Sequence, residues 1–140
     1  MQQTKETLLE IAQDIISKNK YAMVATMGKW NQPNIRALQN MKNDGFSVFY
    51  FVTRRDSKKV KEIKRHKKGT VYFYDKDRYI SVTLHGNFKI EENSNYGISD
   101  IYKIAEHDLF DHVLLVFETK KMFVYSNYIT TEFKMKKKKN

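Results

Sequence analysis

The sequence predicts a mainly β protein, an antiparallel, closed or nearly closed β-barrel with Greek-key-like connections and peripheral helices. Three observations lead there. Short β-prone segments, about seven of them, follow one another with turn signals between them. Phe46–Thr53 is apolar on both faces, so both sides must be covered, and a flat sheet would leave it and its edges bare. The 140 residues contain neither a repeat nor a linker, which fits one core. A single domain is expected over 1–133, with a basic, disordered tail over 134–140.

The elements follow in order. Leu8, Leu9, Ala12, Ile15 and Ile16 share one stripe of a first helix, and Thr4 is its N-cap. Tyr21–Met27 is a β-prone run, Gly28–Pro33 a hairpin loop, and Asn34–Met41 an alternating strand with Arg36 and Leu38 on one face. Asn43-Asp44-Gly45 supplies a hairpin turn, and Phe46–Thr53 follows. A second helix starts at Asp56 or Ser57 and runs to about Lys67, with only Val60 and Ile63 facing inward; Lys68-Gly69 ends it. Val71–Tyr74 and Tyr79–Ile90 are strands, the second interrupted at Gly86, where a bulge or close approach is expected. Ile98, Ile101, Tyr102 and Ala105 mark a short helix. Val113–Phe117 and Met122–Tyr125 read as a last hairpin around Glu118-Thr119-Lys120-Lys121.

Composition narrows the function. No cysteine is present, which excludes disulfides, thiolate metal sites and thiol nucleophiles and fits a reducing cytoplasm. The longest apolar run, Val113–Phe117, is far too short to span a bilayer, and no signal peptide precedes the first helix. The net charge of +10 is concentrated. Residues 54–68 hold nine basic side chains against Asp56 and Glu62, and the tail from Lys134 adds five lysines.

The most informative stretch is Thr53-Arg54-Arg55-Asp56-Ser57-Lys58-Lys59, where a strand feeds a helix. Free N–H groups and the positive dipole end of a helix suit a phosphate dianion. The Ser57 hydroxyl can donate to it, Lys58 or Lys59 can supply charge, and Arg36, across the Asn43-Asp44-Gly45 hairpin, can close over it with two prongs. A merely solvated basic helix fits the same spacing.

Taken together, Ala22–Thr26, Gln32–Leu38, Phe49–Thr53, Ser57-Lys58-Lys59 and Ser81–Phe88 resemble the pyridoxamine 5′-phosphate oxidase-like flavoproteins of the general stress protein 26 type. The resemblance covers roughly residues 8–130. It implies an FMN-binding split β-barrel, cytoplasmic and homodimeric, with flavin at the interface. By the same resemblance Arg36 grips the phosphate, Ala37 and Leu38 edge the isoalloxazine, and Val52 and Thr53 lie beside the flavin. Ser57, Lys58 and Lys59 correspond to the ribityl-phosphate clamp, with Lys58 standing where arginine is frequent. Two departures count against pyridoxamine phosphate as substrate. No Arg-x-His pair follows Arg78, and Met41 stands at the family's substrate-phosphate lysine.

The implied function is an FMN-dependent oxidoreductase taking electrons from a donor such as NAD(P)H and passing them to a small acceptor. A flavin-binding stress protein without turnover is the alternative, and a basic barrel binding nucleic acid a more distant one. No side chain stands out as a catalytic acid or base. His66, His85, His107 and His112 lack ligand spacing, so no metal is expected. The haem-handling relatives' C-terminal histidine has no counterpart beyond His112. Trp30 is expected either to pack on the barrel end or to serve as a lid or partner contact.

Overall fold

The computed structural model describes residues 3–92 and 112–135. The helix expected over Ile98–Ala105 and the residue His107 lie outside them.

Helix α1 (Lys5–Lys18) begins at Thr4, whose Oγ1 accepts the Thr7 N–H at 3.1 Å. It buries Leu8, Ala12, Ile15 and Ile16, while Leu9 packs half-buried at the edge of the core. Eight strands follow: β1 (Tyr21–Met27), β2 (Pro33–Gln39), β3 (Lys42–Asp44), β4 (Val48–Arg54), β5 (Lys68–Asp75), β6 (Ile80–Glu91), β7 (His112–Ser126) and β8 (Ile129–Lys134). Helix α2 (Lys58–Arg65) lies between β4 and β5.

All pairings are antiparallel, in the order β2-β1-β5-β6-β7-β4-β3, with β8 on the free half of β7. Strands β2 and β3 are consecutive in the chain yet sit at opposite ends of this ladder. They are joined through Asn40 and Met41, whose N–H groups donate to the Lys20 carbonyl (2.9 Å) and the Tyr50 carbonyl (3.0 Å). The barrel is therefore split between β2 and β4, which are not hydrogen-bonded partners.

Alternate side chains of every long strand enter one core. Phe117 lies at its centre, with the Phe88 and Phe49 rings at 4.9 and 6.4 Å. Each such fully buried aromatic contributes about 1.5–3 kcal/mol relative to exposure. The second face of β4 is apolar too, as its sequence predicts. There Tyr50 packs with Leu114 and Val116 of β7 and with Met41, Val48 and Val52, so this chain itself covers the strand.

Three local readings are corrected. Glu118–Lys121 is not a turn, because β7 runs unbroken through it. The polar run marks a bulge: Gly86 pairs with Thr119 but His85 pairs with Lys121, leaving Lys120 as the extra residue. The close approach expected at Gly86 is real, since a Cβ there would lie 2.1 Å from the Glu118 carbonyl oxygen. Lys68-Gly69 starts β5 instead of ending the helix, which stops at Arg65 with His66 as C-cap. Ordered structure also extends past residue 133. Lys134 closes β8, and Met135 packs on the core and donates its N–H to the Lys120 carbonyl at 3.0 Å.

Candidate functional site

Strand β4 ends at Arg54, and a tight turn, closed by Ser57 N–H donating to the Arg54 carbonyl at 3.1 Å, delivers the start of α2. Ser57 holds the N-cap position with extended backbone but makes no side-chain cap bond. Its Oγ is buried without a hydrogen-bond partner. A buried, unused hydroxyl costs about 1–3 kcal/mol and is unusual unless something else meets it. Two residues on, Lys59 Nζ donates to the Thr53 Oγ1 at 2.7 Å.

Arg36 reaches the same region from β2, across the split. The Asn43-Asp44-Gly45 hairpin joins β3 to β4 and does not bring β2 alongside β4. The guanidinium donates to Thr26 Oγ1 at 2.6 Å and pairs with Glu62 Oε1 at 3.4 Å. Glu62 is only 2% exposed. Its carboxylate also accepts from Thr26 (2.7 Å) and Asn34 (2.6 Å). Burial alone would raise its pKa, but these hydrogen bonds and the Arg36 charge outweigh burial and hold the carboxyl below its ordinary value. Lys59 is shifted down, first by burial and then by the positive charge of Arg36. Lys59 thus feels the Arg36 charge from a helix whose N-cap hydroxyl, on Ser57, has no partner.

The structure joins Lys59 to Thr53 beside Ser57 at the start of α2, and ties Arg36 to the same helix through Glu62. It leaves Lys58 exposed on the outer side of α2, and Ala37 exposed on the outer face of β2. Leu38 turns inward against the core, and Val52 joins the second apolar cluster with Tyr50. Glu62 is the residue the sequence reading missed, having placed only Val60 and Ile63 inward. The available signal was Arg36 itself: an arginine sharing a strand face with Leu38 enters the interior and needs an anion there. Among the described residues no three His, Asp or Glu side chains gather where a metal could sit, and no helix is long and apolar enough to cross a membrane.

A sequence profile of the pyridoxamine 5′-phosphate oxidase family matches residues 8–125. The chain belongs to that family. No curated protein matches it. Among solved structures, this family member superposes on a protein from Clostridium acetobutylicum related to general stress protein 26 (TM-score 0.80, 24% identity, 94% of this chain and 97% of that one). General stress protein 26 from Bacillus anthracis gives 0.70 at 20% identity, over 90% and 98% of the two chains. A heme binding protein from Mycobacterium smegmatis gives 0.74 at 11% identity, over 96% of this chain and 59% of that one. These likenesses show a shared fold.

Proposed function

We propose that this family member is an FMN-dependent oxidoreductase whose flavin phosphate sits at the N-terminus of α2. One observation carries the reading. The Ser57 Oγ is buried without a partner at the N-cap of α2, and two residues on Lys59 holds its ammonium on Thr53 Oγ1 at 2.7 Å. A dianion there offsets the Lys59 charge, gives Ser57 an acceptor for its proton and meets the helix dipole. Arg36 supplies a guanidinium held in place by Glu62 and Thr26, and Lys59 supplies a point charge steadied by Thr53. When bound, the flavin supplies the redox chemistry, between a donor such as NAD(P)H and a small acceptor. The residues around it position the ring and exclude water. Pyridoxamine phosphate is not the substrate on this reading, because no Arg-x-His pair follows Arg78.

A second copy would pack on the outer face of this sheet. The outer face of β2, β1 and β5 exposes Ile35, Tyr21, Met23 and Tyr74, and Ile35 lies beside Ala25 as Met23 lies beside Tyr72. That apolar face, and not the already covered face of β4, is the one a symmetric partner would bury.

Titration of flavin-free protein with FMN and with riboflavin tests the phosphate site. Arg36→Ala should weaken FMN about thirty- to a thousand-fold, equivalent to about 2–4 kcal/mol, and leave weak riboflavin binding unchanged. Equal losses for both ligands would remove the assignment. The purified protein should be yellow, and NAD(P)H oxidation with a panel of acceptors separates turnover from storage of flavin.

A further inference from the structure

Trp30 is 96% exposed, and its backbone is held at φ 62, ψ 29. This left-handed conformation is one that bulky side chains rarely adopt. The residue takes the first central position of the tight β1–β2 turn, and Asn31, at φ 57, takes the second. Gln32 N–H closes the turn on the Lys29 carbonyl at 3.1 Å. Asn, Asp or Gly suits both positions, so an unburied indole there does nothing for the fold.

What the indole does is line a cleft of about 400 Å³ between this turn and the C-terminal end of α2. That volume is in the range of small-molecule sites. Lys29, Arg65 and His66 line it as well, and no carboxylate does. Arg65 differs from the four other arginines. Arg36 pairs with Glu62, Arg54 with Asp56, Arg55 with Glu92, and Arg78 with Asp14 and Asp75. Arg65 has no ion pair among the described residues. The His66 Nδ1 accepts the Lys68 N–H at 3.3 Å. A neutral ring therefore carries its proton on Nε2, which is left to donate.

We infer that this cleft binds a purine nucleoside phosphate, with the base on the Trp30 indole and the phosphate on Arg65, Lys29 and His66. An exposed indole face offers stacking area, and a guanidinium without a carboxylate offers a two-pronged phosphate contact. An aromatic face beside a cluster of cations is the pairing a nucleotide needs. The inference does not depend on flavin at the Arg36 site, and the two can fail separately.

Trp30 is the sole tryptophan of the chain, so its emission reports on this cleft alone. ADP, adenosine and inorganic phosphate are each titrated into the full-length protein with excitation of the indole. ADP should quench saturably, with half-effect below about 1 mM, and adenosine should bind at least about tenfold more weakly. Phosphate alone should leave the emission unchanged. Arg65→Gln should weaken ADP about tenfold, and Trp30→Leu, followed by equilibrium dialysis with labelled ADP, should do so to a similar degree. Quenching without saturation, equal responses to ADP and adenosine, or a response to ADP that Arg65→Gln leaves intact would each overturn the proposal. Saturation by an oligodeoxyadenylate at a hundredth of the ADP concentration would also overturn it, assigning the cleft to a nucleic-acid strand.

Discussion

The carboxylate of Glu62 serves two opposed ends. It satisfies Thr26, Asn34 and Arg36 inside the protein, and it occupies a guanidinium that a phosphate would otherwise hold alone. Glu62→Gln keeps acceptor and packing but removes the charge. The expected result is a loss of about 1–2 kcal/mol of stability in the flavin-free protein, read by urea unfolding. FMN affinity should meanwhile rise several-fold; lower affinity in a folded variant would show that Glu62 only serves to aim Arg36. The same carboxyl predicts an acid limb. Its folded pKa lies below the ordinary 4.5, so its stabilisation is complete at higher pH and is lost as pH falls below that value. In urea titrations between pH 3 and 6, wild type should lose more stability toward acid than Glu62→Gln does. Parallel curves would contradict this.

Among the elements, β8 best separates what the residues announce from what they conceal. Ile129–Lys134 alternates too weakly to stand out, and its connection to β7 lacks the usual glycine. Asn127 and Tyr128 take φ 52 and 64 instead, and a tyrosine in the left-handed region is not a turn signal. The polar run in β7 misled for a related reason, since a bulge and a turn draw on the same residue types. Helix α1, by contrast, is legible because its stripe and its Thr4 cap agree. So is the strand-to-helix junction that places Ser57 at the N-cap of α2. Glu62 was hidden because a single charge within a basic helix is usually solvated. The extent of β8 sets a truncation boundary. Removing residues 136–140 should leave the melting temperature within about 1 °C, because lysines and a terminal asparagine bury little. Removing Lys134 and Met135 as well takes away a strand end, a backbone hydrogen bond and a core contact. That should cost about 1–3 kcal/mol, or roughly 3–10 °C in a thermal melt. Identical melts would show that β8 frays.

At the scale of the whole molecule, the outer face around Met23 and Ile35 predicts association. Sedimentation at micromolar concentration should give a species twice the 16.7 kDa of one chain, and Met23→Lys with Ile35→Lys should shift it to the monomer while circular dichroism stays unchanged. A wild-type monomer would refute the second copy. The sheet order carries one more consequence, for synthesis on the ribosome. Strands β1 and β2, and likewise β5 and β6, can pair with near neighbours as soon as they emerge. Among the described residues the β3–β4 hairpin pairs with the rest of the sheet only through β7, which begins at residue 112. Until that strand has left the exit tunnel, β4 has no lasting place opposite β2. Until then only α2, through the bonds of Glu62 to Thr26, Asn34 and Arg36, can hold the junction of β4 with α2 near β1 and β2. A phosphate ligand of that junction would therefore find β4 fixed in place only once residues 112–118 have paired with it.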